Sequence, residues 1–116
     1  MYVYMYAGIE VVLEPRELLV MEGGVAKFRC SPHIPIALPI LTRDGAYFSS
    51  WNSDGRLQYE DVESPGQGVI GNRTYSLSEV SLQDNGTSYQ CFVAYYPSNV
   101  VTLSVFGKRC MRKREE

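Results

Sequence analysis

The sequence predicts an all-β fold, a sandwich of two antiparallel sheets carrying seven to nine short strands. Two patterns and one number carry that expectation. Hydrophobic residues recur in short alternating runs rich in Val, Leu, Tyr and Phe, with almost nothing at helical spacing. Clusters of Gly, Pro, Asn, Asp and Ser separate the runs. The length of 116 residues, 45% of them hydrophobic and 21% charged, suffices for one domain around one core.

In chain order, strands are expected at 9–13, 18–21, 25–30, 47–52, 75–78, 88–94 and 100–106, with weaker candidates at 57–60 and 69–70. The turns fall at Pro15, Glu22-Gly23-Gly24, Asp44-Gly45, Asp54-Gly55, Ser64-Pro65-Gly66 and Asp84-Asn85-Gly86. Alternation sorts the faces. Ala26, Phe28 and Cys30 share one side while Lys27 and Arg29 face water. Tyr89, Cys91 and Val93 form another inward set, as do Val101, Leu103 and Val105. Cys30 and Cys91 therefore both fall on core faces, and a bridge between them explains them better than metal binding does. There is no Cys-x-x-Cys, and His33 is the only histidine. Cys110 is left over, expected to be free or to bridge to another molecule.

Residues 1–8 read as an N-terminal extension in which Tyr2, Tyr4 and Tyr6 alternate, 9–107 as the domain and 108–116 as a basic tail or linker. Within residues 1–107, six basic and eleven acidic side chains give a net charge of −5. An acidic body argues against nucleic-acid binding. No stretch reaches the ~18–20 apolar residues of a membrane-spanning helix, so membrane attachment would run only through segments outside this chain. The first eight residues lack a basic leader and are shorter than the about 15–30 residues of a signal peptide.

Two segments resemble the immunoglobulin superfamily, and the match extends over about residues 10–107. Pro15 to Cys30 (PRELLVMEGGVAKFRC) looks like the A′–B signature of that family. Tyr75 to Cys91 (YSLSEVSLQDNGTSYQC) looks like strands E and F, with Tyr75, Leu77, Val80 and Leu82 inward and Tyr89 at the tyrosine corner. One residue too many separates Gly86 from Tyr89. The resemblance implies an I-set or V-set-like Greek-key sandwich with Phe28, Leu77 and Tyr89 in its core. Trp51, followed by Asp54-Gly55, fills the core tryptophan position of strand C, which leaves a long B–C loop over 31–44. The rival alignment puts Leu41 in that position, with the turn at Asp44-Gly45.

No catalytic or cofactor site emerges. Gly66-Gln-Gly-Val-Ile-Gly71 matches G-x-G-x-x-G, but it lacks the preceding strand and following helix that hold a pyrophosphate. Glu60, Asp61 and Glu63 read as a solvated acidic face, and His33 has no carboxylate or nucleophile beside it. Neither a metal, a cofactor nor a small-molecule substrate is expected, and the chain is expected not to be an enzyme. Two sequons, at Asn72 and Asn85, are expected in exposed turns as glycosylation sites.

By resemblance the chain is a recognition or adhesion module, extracellular or at the cell surface, that binds a protein ligand or a second copy. The expected contacts are Tyr95 and Tyr96 in the F–G loop, Ile36 and Leu38 in the B–C loop, and Phe92 and Phe48 on the outer face of the C–F–G sheet. Phe106 is expected in the same patch. The alternative is a structural spacer in a modular array, with no ligand of its own.

Overall fold

The computed structural model describes residues 10–32, 37–47, 54–63 and 70–107. Among the described residues ten strands run in chain order: β1 Val11–Glu14, β2 Leu18–Met21, β3 Ala26–Pro32, β4 Ile40–Arg43, β5 Ala46–Tyr47, β6 Leu57–Glu63, β7 Ile70–Leu77, β8 Ser88–Val93, β9 Tyr96–Pro97 and β10 Val101–Phe106. They form a four-stranded sheet in the order β1-β3-β7-β6 and a six-stranded sheet in the order β2-β10-β8-β4-β5, with β9 paired to β8. The two-residue strands β5 and β9 take the number past the seven to nine expected. One pairing departs from the antiparallel expectation. Pro15, which has no N–H to give a ladder, ends β1. The chain then crosses to the other sheet, where β2 runs parallel to β10 with Leu18 opposite Leu103.

The core lies where the alternation placed it. Along β3 the side chains of Ala26, Phe28 and Cys30 are buried while Lys27 and Arg29 are exposed. On the facing sheet Tyr89, Cys91, Val93, Val101, Leu103 and Val105 are buried. Cys30 and Cys91 form a disulfide across the two sheets, with Cα atoms 6.3 Å apart. The rings of Phe28 and Tyr89 pack beside it, centroids 4.6 Å apart.

The structure bears on four expectations. First, residues 40–43 form a strand, so the predicted loop over 31–44 does not run unbroken. Leu41 lies fully buried opposite Cys91. Asp44 and Gly45, both at positive φ (50° and 87°), make the tight turn from β4 to β5. Leu41 thus occupies the core position that the sequence assigned to Trp51, which lies outside the described residues. Second, of the strand expected at 47–52 only Tyr47 lies within the described residues, at the end of β5. Third, β6 and β7 are longer than expected and pair over their whole length, which places Asn72 inside β7 opposite Val62 rather than in a turn. Fourth, Leu82 is half exposed rather than inward, because residues 82–84 tighten into a single 3-10 turn.

That turn also absorbs the extra residue before Tyr89. Gly86 takes φ 87° and donates its N–H to the Leu103 carbonyl at 2.8 Å. The Thr87 hydroxyl then donates to the Asp84 carbonyl at 2.7 Å. The buried Tyr89 hydroxyl lies 3.2 Å from the same Thr87 oxygen.

Candidate functional site

The six-stranded sheet ends in a two-residue hairpin from β8 to β9, and its tip is built against its own residue types. Val93 pairs with Tyr96, which leaves Ala94 and Tyr95 as the turn. Both hold positive φ, 50° and 75°. A two-residue hairpin demands that conformation, and Asn-Gly supplies it at little steric cost. Here an alanine and a tyrosine supply it, and Tyr95 projects with 96% of its surface exposed.

The base of the hairpin is pinned. The Ser98 hydroxyl accepts from the Cys91 N–H at 2.9 Å and donates to the Asn99 carbonyl at 2.7 Å. Gln90 Nε2 donates to the Ser98 carbonyl at 2.8 Å. Asn99 reaches across to β1, accepting from Leu13 N–H at 2.9 Å and donating to Leu13 C=O at 3.0 Å. Ser98 and Asn99, which in sequence resemble adaptable contact residues, are therefore spent on holding the loop. A firm base carries a strained tip.

Below the tip an apolar row crosses the outer face. Phe92 pairs with Pro97 on one side and Ile40 on the other. Ile40 is 48% exposed. Leu38 is exposed just before β4, and Tyr47, opposite Thr42, extends the patch toward the sheet edge. Tyr96 is 39% exposed, less than Tyr95, and pairs with the inward Val93. Ile40, Pro97 and Tyr47 were not among the expected contacts. Their signal is the alternation through 40–43, which becomes readable once Leu41 is set against Cys91.

Phe106 does not join this row. Thr102 pairs with Ser88 in antiparallel register. Phe92 lies four residues one way from that pair and Phe106 four residues the other, a separation of about 26 Å along the strands. Ile36 and Phe48 lie outside the described residues, as do His33 and Cys110.

The opposite end of the sheet holds a buried ion cluster. Arg43 donates to Asp84 at 2.9 Å, and Arg56 donates to both Asp84 oxygens at 3.1 and 3.2 Å. The Ser81 N–H adds a fourth bond at 2.8 Å. Burial pushes the Asp84 carboxyl up, but the bonds from Arg56, Ser81 and Arg43 outweigh it and hold its pKa at about 2. The acidic run is partly engaged as well: Arg73 pairs with Asp61, stacks on the Tyr59 ring at 3.9 Å and donates to the Pro39 carbonyl at 3.2 Å. Asn85 Oδ1 accepts from the Val105 N–H at 2.8 Å, so that side chain serves the corner. Among the described residues, no group of three or more His, Cys, Asp or Glu is placed to hold a metal ion, and no helix is long and apolar enough to cross a membrane.

Fold and site together define a two-sheet, disulfide-bridged β-sandwich with an exposed aromatic hairpin tip. No family model and no curated protein matches the chain. In three dimensions, 954 chains of solved structures match it, so the architecture is widely used and does not by itself specify a function. One of these chains belongs to a structure described as the structural basis of T cell specificity and activation by the bacterial superantigen toxic shock syndrome toxin-1. It aligns with a TM-score of 0.68 over 85% of this chain and 100% of its own length, at 13% identity. At that identity the likeness is one of fold.

Proposed function

We propose that this chain is an immunoglobulin-type, non-catalytic recognition domain. It engages a protein partner through the β8–β9 tip and the row Pro97, Phe92 and Ile40. The sheet membership supports the class. The four-stranded sheet corresponds to strands A, B, E and D, and the other sheet carries C, F and G at its centre. The disulfide joins the B and F strands, and a buried tyrosine stands two residues before the second cysteine. A stable disulfide belongs to an oxidising compartment, which favours a place outside the cell or at its surface.

The observation that carries the binding reading is the tip itself. Two successive residues with side chains at positive φ cost roughly 1 kcal/mol or more each. Strain of that kind is kept where a side chain is needed, and here it presents a rigid, exposed tyrosine above an apolar row. The solved neighbour comes from a structure concerned with T cell specificity, which is consistent with protein recognition.

A second copy is the partner to test first, by sedimentation equilibrium across micromolar concentrations. Association that weakens in Tyr95→Ala and Phe92→Ser, with unchanged melting, supports self-recognition through this surface. A concentration-independent monomer overturns self-recognition and favours the spacer role.

A further inference from the structure

We propose a second binding site, for a sulfated polysaccharide chain, on the outer face of the four-stranded sheet. The cations of the domain divide into two groups. Residues 10–107 carry six basic side chains. Three are committed to the fold: Arg43 and Arg56 to Asp84, and Arg73 to Asp61. The other three, Arg16, Lys27 and Arg29, all line one open cleft of about 680 Å³, together with Glu14, Pro15, Phe28 and Thr74.

The cleft follows from local structure. Lys27 and Arg29 are the outward positions of β3, two residues and thus about 7 Å apart. Arg16 joins them because the chain turns at Pro15 to change sheets. Glu14 is the one carboxylate present, and it is already used, accepting from Arg29 at 2.8 Å. The lining therefore carries +2 on a body of −5. Such local segregation favours an anion at the cleft, although Glu60, opposite Thr74, marks the acidic border of the same face.

Cations spaced along a strand suit repeated anionic groups on an extended chain better than a single small ion. The Arg guanidinium and the Thr74 hydroxyl supply directional donors for sulfate oxygens. The choice of a sulfated polysaccharide over a nucleic acid rests on the extracellular place proposed above for this disulfide-bridged domain. The site lies on the opposite sheet from the aromatic tip, so both surfaces can be occupied at once.

The test uses the full chain, titrated at low salt with a heparin-derived oligosaccharide, its desulfated counterpart and inorganic sulfate. The tail carries five cations of its own, so Arg16→Ser/Lys27→Ser is compared with Lys113→Ser/Arg114→Ser. Both cleft residues are exposed, and unchanged melting confirms that the variant folds. The expected result is sulfate-dependent binding that falls about tenfold in the cleft variant, falls less in the tail variant, and weakens steeply as salt is added. Three results would overturn the proposal: unchanged affinity in the cleft variant, equal binding of the desulfated chain, or inorganic sulfate binding as tightly as the oligosaccharide.

Discussion

At the scale of single residues, Asp84 shows how one carboxylate organises an end of the sandwich. It is nearly inaccessible, yet it stays ionised because two guanidiniums and a backbone N–H converge on it. Its folded pKa of about 2 lies below the ordinary value of 3.8. The stabilisation is therefore complete above about pH 4 and is lost as pH falls toward 2, with a size of about 2 kcal/mol. Thermal melts from pH 5 to pH 2 should show that loss, and Asp84→Asn should flatten the profile while lowering stability at pH 7. Removing the carboxylate takes the shared anion from two partly buried arginines, so about 3 kcal/mol is expected at neutral pH. Tyr95 presents the opposite case, a side chain kept at a cost to folding. Tyr95→Gly should raise stability by up to about 1 kcal/mol, because glycine accepts φ 75° freely. The same variant should weaken self-association in sedimentation equilibrium. A glycine variant that is neither more stable nor weaker in association would mean the tip holds no functional strain.

At the scale of elements, the important device is how β1 is fastened. β1 is the outer strand of its sheet, with Leu13 opposite Cys30 in β3. The Asn99 amide makes two hydrogen bonds to the main chain of Leu13, as a neighbouring strand would. Asn99→Ala leaves a partly buried N–H and C=O unpaired, which should cost about 1–3 kcal/mol. Hydrogen exchange at the Leu13 amide should accelerate far more than at Cys30, and equal acceleration would refute a local clamp. Nothing in the sequence marks Asn99 for this role, because its partners lie 86 residues away. The strands that were legible, β3, β8 and β10, each alternate over six or seven residues with a buried face. Strand β4 was not. Prolines crowd its approach and it is only four residues long, so its alternation is too brief to outweigh a tryptophan followed by an Asp-Gly turn. The tip was legible in composition, two tyrosines followed by Pro97, Ser98 and Asn99. The division of labour between exposed Tyr95 and the pinned Ser98 and Asn99 depends on hydrogen bonds that composition does not encode.

At the scale of the whole molecule, the two proposed surfaces sit back to back on sheets that the disulfide cross-links. The Cys30–Cys91 bridge closes a loop of 61 residues. On the loop-entropy account, such a crosslink stabilises the fold by roughly 4 kcal/mol. Domains of this size hold a total of about 5–15 kcal/mol, so the bridge is a large fraction of what keeps the sheets together. Guanidinium unfolding with and without reductant, repeated on Cys30→Ala/Cys91→Ala, should show the unfolding free energy falling by that amount. Because each proposed surface depends on the sheet beneath it, reduction under mild denaturant should abolish self-association and polysaccharide binding together. Tyr95→Ala should remove only the first, and Arg16→Ser/Lys27→Ser only the second. If the reduced domain keeps its stability to within about 1 kcal/mol, the sandwich is held by its core alone. The two surfaces should then survive reduction, as the packing of Phe28, Leu41, Leu77 and Tyr89 around the cysteines would by itself be enough to hold the sheets.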